Sequence, residues 1–243
     1  MDAYKLEMRH ICKAFGSLAA TDNIDLYVRK GTVHAIIGEN GAGKSTLMSI
    51  LSSVQRQDSG DILIDGRPAS FKDPLDAVRH GIGMVYQEFM QFRGLTVLDN
   101  IIMGYEIKKG PFIDKKASRK RLEQICADSG FSLPLDTLVD DLPVALLQQV
   151  EIVKVLYKNA DIIILDEPTS VLTPQGIEGL FQAIRSLAAK EKTILLITHK
   201  LKEVLAIADD ITVLKNGKVT GRLIASEADE SLLARLMVGR EVM

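Results

Sequence analysis

Two clusters in this chain have the residue types and spacing that chemistry requires: a lysine and two hydroxyls behind three glycines, and two adjacent carboxylates behind a run of isoleucines. The first, Gly38-Glu39-Asn40-Gly41-Ala42-Gly43-Lys44-Ser45-Thr46, satisfies the pattern G-x-x-x-x-G-K-[ST], whose physical purpose is to cradle phosphate. Its three glycines let the backbone curl until successive N–H groups face one phosphate, and a helix starting behind them adds its positive end. Lys44 would supply charge to the β and γ phosphates and Ser45 a hydroxyl for a metal ion. A bare match arises by chance in about one chain in a hundred of this length, so it does not decide alone. The second cluster, Ile162-Ile163-Ile164-Leu165-Asp166-Glu167, reads as a buried strand that delivers two carboxylates to its carboxyl end. There Asp166 can hold Mg2+ through water, and Glu167 can polarise a water for attack.

These residues need a sheet to stand on. Residues 33–37, 162–165 and 193–197 are near-continuous β-branched and aliphatic runs, as expected of strands buried on both faces of a parallel sheet. Each is followed by a helical pattern, at 44–51, 174–189 and 201–208, so the organisation is β-loop-α with sites at the strands' carboxyl ends. Residues 23–30 alternate, with Ile24, Leu26 and Val28 on one side, the period of a half-buried strand in an antiparallel edge sheet. Between Gln87 and Ala160 the character changes: 96–103, 114–129 and 145–157 read as amphipathic helices with no strand among them. After Asp210, residues 211–214 and 218–223 flank Asn216-Gly217 as a hairpin, followed by a short helix from about Glu227. The expected fold is α/β: a P-loop NTPase core of mostly parallel sheet, an antiparallel N-terminal subdomain and an inserted helical subdomain. Residues 1–87 and 160–243 would form the ATP-binding core and 88–159 the insert. No internal repeat or low-complexity tract interrupts this plan.

With 243 residues and 47% hydrophobic composition the chain can bury a proper core. Thirty Lys and Arg against 32 Asp and Glu leave a formal charge of -2, so nothing global draws it to DNA or to an anionic membrane. Any membrane partner is therefore expected to be a protein surface. Cys12 and Cys126 lack CxxC spacing and read as two reduced thiols, which fits a cytosolic address. No apolar run approaches the ~20 residues needed to cross a bilayer, and the expectation is a chain that neither spans a membrane nor is secreted.

Further residues resemble the ATP-binding cassette family along nearly the whole chain. Phe15, in Lys13-Ala14-Phe15-Gly16, resembles the aromatic that stacks on adenine; Gln87 resembles the glutamine joining core to helical lobe; His199, in Thr198-His199-Lys200, resembles the switch histidine that contacts the γ-phosphate. Taken singly, Phe15 also fits a core aromatic, Gln87 a solvated loop amide and His199 a helix cap. Five motifs in order carry the resemblance. It implies ATP and Mg2+ as cofactors, with Phe15 and residues 38–46 on the nucleotide and Ser45, Gln87 and Asp166 on the metal. Glu167, His199 and Gln87 would form the catalytic group.

The family's Leu-Ser-Gly-Gly-Gln signature is where the chain departs, because Leu142-Pro143-Val144-Ala145-Leu146 stands in its place. In the family this segment reaches across a nucleotide-sandwich dimer with a serine hydroxyl and backbone N–H groups. Pro143 has neither, and losing about two charge-assisted hydrogen bonds at ~1.5 to 3 kcal/mol each removes ~3 to 6 kcal/mol. Read simply as structure, the segment is a helix start with Asp141 as cap and Pro143 in the first turn. Ser170-Val171-Leu172-Thr173 occupies the D-loop, with Thr173 where many members carry Asp.

Gln148-Gln149-Val150-Glu151-Ile152 and Leu172-Thr173-Pro174 are similar to the branch that imports simple sugars and nucleosides, and residues 236–242 resemble the end of a first half-protein. The resemblance implies an asymmetric pair with a second cassette, in the same full-length polypeptide or as a dimer mate. Permease subunits in the membrane, and indirectly a solute-binding protein, complete the expected partners; nucleic acid is not among them. The implied location is peripheral, at the cytoplasmic face of the membrane.

A non-transport cassette ATPase acting in translation or DNA maintenance shares every nucleotide residue. DNA-end members carry long heptad coiled coils between phosphate loop and signature, where this chain has a compact helical lobe. Translation members would show basic patches, of which none stands out in this reading. A small-molecule kinase has no use for a water-activating Glu167, and neither does a catalytically silent nucleotide sensor.

Overall fold

The computed structural model describes residues 4–238. The ends of the expected core segments at 1–3 and 239–243, and most of the stretch 236–242 likened to a half-protein's end, lie outside the described residues. The architecture is α/β, with a six-stranded and a four-stranded sheet. In the larger sheet the order is β12 (Lys218–Ile224), β11 (Asp210–Lys215), β3 (Val33–Ile37), β10 (Thr193–Thr198), β9 (Ile162–Asp166), β6 (Ile82–Val85). All neighbours are parallel except β11 and β12, which form the expected hairpin around Asn216-Gly217.

Both faces of this sheet are covered, which is why its central strands read as unbroken apolar runs. Successive side chains point to opposite faces: Ile163 and Leu165 of β9 join Ile194 and Leu196 of β10 in one core, while Ile162, Ile164, Leu195 and Ile197 join another. The second core is closed by α1 (Lys44–Leu51) and by the smaller antiparallel sheet, order β2 (Leu18–Arg29), β1 (Tyr4–Phe15), β4 (Ser59–Ile64), β5 (Arg67–Ala69). Ile24, Leu26 and Val28 are its fully buried face, as their alternation requires. Strand β1 lacks clean alternation because its pairing with β2 shifts register repeatedly, and His10 takes a left-handed backbone at φ 54°.

The first core is shared with the helical segment. After α2 (Pro74–Arg79) and β6, the chain forms α3 (Val97–Ile102), a small hairpin of β7 (Lys108–Lys109) and β8 (Phe112–Ile113), α4 (Lys115–Ser129) and α5 (Val144–Tyr157). Val97, Ile101, Leu122, Val150 and Val153 pack in one continuous cluster with Val85 and Ile163, so the segment has no separate core among the described residues. Gly83 is needed at this seam: a Cβ there would lie 2.7 Å from Val155 Cβ and 2.9 Å from Ala160 Cβ.

The hairpin β7–β8 corrects the expectation that no strand interrupts the helices. Two residues per strand are too few for a period of two to show. The start of α5 also differs from expectation: Pro143, not Asp141, occupies the cap position and offers no side-chain bond. On the far side, α6 (Pro174–Ala189) completes the first core, while α7 (Leu201–Ile207) and α8 (Glu230–Val238) cover β3 and β11 through Val204, Leu233 and Met237. The last helix begins later than about residue 227 because a 3-10 turn, Ala225–Glu227, precedes it.

One buried polar group in β3 makes stability depend on pH. His34 Nε2 meets Thr212 Oγ1 at 2.8 Å, and burial pushes its pKa down to about 4 from an ordinary 6.5. Between those values the unfolded chain binds a proton that the folded chain refuses, so stability falls as pH drops below about 6.5. We expect urea denaturation to show a decline approaching ~1.4 kcal/mol per pH unit from this group between pH 6 and 5. His34→Gln should remove that component of the slope; an unchanged slope would clear His34 of the effect.

Candidate functional site

The glycine-rich loop leaves β3 at Ile37 and enters α1 at Lys44, as its spacing requires. Gly43 caps that helix at φ 102°, and Gly41 is also left-handed at φ 82°, a conformation that costs glycine little. The loop is backed tightly. A Cβ on Gly38 would fall 2.3 Å from the Leu214 carbonyl oxygen, and one on Gly43 2.4 Å from that of Ala20. Gly217 N–H donates to the Ala42 carbonyl at 3.1 Å, and Asp22 N–H to the Gly217 carbonyl at 2.7 Å. The hairpin tip thus clamps the loop against β2.

Lys44 lies over the loop, its Nζ donating to the carbonyls of Gly38 at 2.7 Å and Glu39 at 3.0 Å. Burial lowers its pKa, opposed by the nearby Glu167 and Asp166. At the end of β9, burial first and Glu167 second raise the Asp166 carboxyl above its usual range, while Lys44 pulls it down. Burial thus pushes both Lys44 and Asp166 toward their uncharged forms, a perturbation that marks a candidate functional site.

Glu167 holds a left-handed backbone, φ 46°, a conformation that costs a non-glycine residue of order 1–3 kcal/mol. Its N–H donates to the Ile197 carbonyl at 2.9 Å and its carbonyl accepts from Ser170 N–H at 3.1 Å. Its side chain turns to the next strand's end, where Oε1 lies 2.8 Å from His199 Nδ1. His199 is more than half exposed while Glu167 is mostly covered. The capping alternative for His199 does not hold, since Lys200 is the residue before α7 and lacks a side-chain cap bond.

Sequence reading missed the support behind this pair. Thr169 is buried, donates to Glu203 Oε2 at 2.5 Å and accepts from Lys200 Nζ at 3.0 Å, and Lys200 pairs with Glu203 at 3.2 Å. These three residues tie the loop after Glu167 to the loop after β10. Their spacing of ~30 residues carries no local pattern.

A cavity of about 550 Å³ brings these elements together, lined by Phe15, Asn40, Gly41, Gly43, Lys44, Ser45, Thr46, Gln87, Asp166, Glu167 and Asn216, with residues 18–20. Phe15 is 44% exposed, so it is not a core aromatic. Gln87 reaches the cavity from the loop after β6. Asn216 was legible only as a turn residue, and the tertiary packing of the hairpin puts it here. Gly38, Glu39, Ala42 and His199 build or flank the loop ends without lining the cavity. The donor set of Ser45 hydroxyl, Gln87 amide and Asp166 carboxylate is all oxygen, which fits Mg2+, an ion that completes its shell with water and phosphate.

The segment in the signature position, Leu142 to Leu146, lies outside this cavity. Pro143 and Val144 are exposed. Behind them α5 is tied to the segment after Gln87, by Gln91 Nε2 donating to the Leu147 carbonyl at 2.9 Å and Lys154 Nζ to the Met90 carbonyl at 2.7 Å. Thr173 accepts from Gly176 N–H at 3.3 Å as the cap of α6.

Comparison with known proteins gives this geometry relatives. The family model described as ABC transporter matches residues 21–170. The chain is 44% identical over 237 residues to the nucleoside import ATP-binding protein NupA of Lactococcus lactis subsp. cremoris, covering 98% of this chain and 47% of that protein. It is 43% identical over 237 residues to the ribose import ATP-binding protein RbsA 3 of Rubrobacter xylanophilus, covering 98% and 48%. The chain therefore spans about half the length of the curated relatives it matches. Among solved structures, an ATP-binding cassette of an ABC transporter in its ADP conformation matches with TM-score 0.85 and 27% identity, over 98% of this chain and 99% of that one. The structure of cbiO1 from Clostridium perfringens, part of the transporter complex cbiONQ, matches with TM-score 0.82 and 27% identity over 93% and 90%.

The backing of the loop predicts its sensitivity. Gly43→Ala places a methyl on the Ala20 carbonyl and strains a left-handed backbone, and should cost at least ~2 kcal/mol in chemical denaturation. Gly41→Ala meets no atom within 4 Å and should cost visibly less; equal costs would mean the clamp is not what constrains the loop.

Proposed function

The chain belongs to the ABC transporter family, and from that premise we propose that it is an ATP-hydrolysing cassette that drives import of a small solute through a membrane permease. The observation that carries the hydrolytic reading is the 2.8 Å contact of Glu167 with His199 at the mouth of the cavity holding Lys44. Phe15 offers a ring face to adenine, residues 38–46 surround the triphosphate with N–H groups, and Lys44 exchanges its loop carbonyls for phosphate oxygens. Ser45, Gln87 and Asp166 would hold Mg2+, which supplies charge neutralisation on the phosphates. Glu167, already ordered by its strained backbone, accepts the proton of the attacking water. His199 keeps that carboxylate aimed and senses the γ-phosphate.

Gln87 belongs both to the cavity and to the segment tied to α5, so loss of phosphate at one end can be felt in residues 88–159, the proposed moving lobe. The ATP-binding core would then be 1–87 with 160–243. The nucleoside and ribose import roles of the relatives favour a simple sugar or nucleoside as cargo over a translation or DNA-maintenance role. The setting would be the cytoplasmic face of a membrane, with permease subunits and, indirectly, a solute-binding protein. Nucleic acid has no part in it.

The partner cassette is expected to differ from this one. With Pro143 in the signature position, a second identical copy would give the γ-phosphate neither a hydroxyl nor an N–H at that residue. A mate with an intact signature, in the same polypeptide or as a dimer partner, would complete this chain's nucleotide site.

Two measurements test this. Glu167→Gln should keep Mg-ATP binding and lose phosphate release by ~10²-fold or more; unchanged turnover would assign the base elsewhere. Turnover by this chain should be slow alone and rise on mixing with the unlike cassette. Rapid, cooperative turnover by this chain alone would overturn the asymmetric pairing.

A further inference from the structure

The balanced overall charge conceals a segment where it is not balanced. Residues 108–121 carry seven Lys and Arg against the single acid Asp114, and that acid is occupied in capping α4, accepting from Ala117 N–H at 2.9 Å. Three of the cations are also occupied: Lys115 pairs with Asp99, Arg119 with Glu123 and Asp136, and Arg121 donates to the Tyr157 carbonyl. Lys108, Lys109, Lys116 and Lys120 are exposed and form no ion pair with any described residue. Among them stand Phe112 at 76% and Ile113 at 56% exposure.

The hairpin arranges these groups. Lys108 pairs across the strands with Ile113, and Lys109 with Phe112, and directly opposed residues share a face. On either face a lysine therefore stands beside an apolar side chain. Lys116 and Lys120, four residues apart on α4, extend the charge on one helix face. The hairpin's base is fixed: Asp114 N–H donates to the Ile107 carbonyl at 2.7 Å, and Ile107 N–H to Ser118 Oγ at 3.0 Å. A fixed projection with two outward apolar side chains and four unpaired lysines is poorly explained by folding, because none of these six side chains contributes to a core.

We propose that the β7–β8 hairpin and the first turns of α4 form a contact surface for an anionic lipid membrane. Phe112 and Ile113 enter the boundary between headgroups and acyl chains, while the lysines lie at headgroup level, their stems on apolar surface and their ammonium groups on lipid phosphates. Overall charge leads to the expectation of a protein-only membrane partner and of no basic patch; the local charge of residues 108–121 corrects both. The proposal goes beyond the hydrolytic reading and does not need it.

The test uses protein-free vesicles, so it stands apart from the transport reading. The 243-residue chain should co-sediment with vesicles of phosphatidylcholine mixed with phosphatidylglycerol, weakly with phosphatidylcholine alone, and be released by high salt. Lys108→Gln with Lys109→Gln should weaken partitioning at least about tenfold, and Phe112→Ser with Ile113→Ser should weaken it comparably, both with ATP binding unchanged. Lys116→Gln with Lys120→Gln, which leaves the hairpin intact, should also weaken it. Equal binding to neutral vesicles, or wild-type binding by all three variants, would overturn the proposal. So would binding that appears only when the vesicles carry the permease, which would make the hairpin a protein contact.

Discussion

The site depends on the register of three parallel strands. Thr198 of β10 stands opposite Ile37 of β3, and Ile197 opposite Asp166 of β9. The three strands therefore end at one level, and the chain leaves them into the phosphate loop, into Glu167 and into His199. A slip of one residue would turn every side chain of a strand to the other face, and would carry Glu167 away from both lysine and histidine. That register is held by the two-sided core: Ile163 with Ile194 on one face, Ile164 with Leu195 on the other. Burial of aliphatic side chains is what brings the ends of these three strands to one place.

The phosphate loop needs a second constraint, because a chain of glycines does not hold its own shape. Its walls come from elsewhere in the sequence: the carbonyl of Ala20 from β2, that of Leu214 from β11, and the N–H of Gly217 from the hairpin turn. The antiparallel sheet and the β11–β12 hairpin thus meet at the loop, and the same convergence brings Phe15 and Asn216 to the cavity. The atoms that pack the loop are thus the ones that shape the cavity.

Burial sets the electrostatics of the cavity. Lys44 is lowered and Asp166 raised, each chiefly by burial, and Lys44 rests on carbonyls that an anion can replace. Both shifts favour the uncharged forms. The strain at Glu167 belongs with it: the left-handed turn places the carboxylate at the cavity, and the Thr169, Lys200 and Glu203 ties hold the loop that bears it.

Local order was legible in the residues themselves. The phosphate loop lies between Ile37 and Lys44 because its glycines and lysine dictate that geometry over a few residues, and β9, β10 and α6 read clearly because fully buried strands and an amphipathic helix leave strong patterns. Strands β1 and β6 and the two-residue strands β7 and β8 left weak ones, through register shifts, the glycine at 83 and sheer shortness. Asn216 and the Thr169, Lys200 and Glu203 ties could not be read at all, since their roles exist only where distant segments meet. The sequence by itself determined which residues are proposed to hold phosphate and activate water, because those capacities are properties of side chains and short backbone stretches. Only the tertiary structure decided that they share one cavity, because strand register and the walls of a glycine loop are set by contacts between residues far apart in the chain.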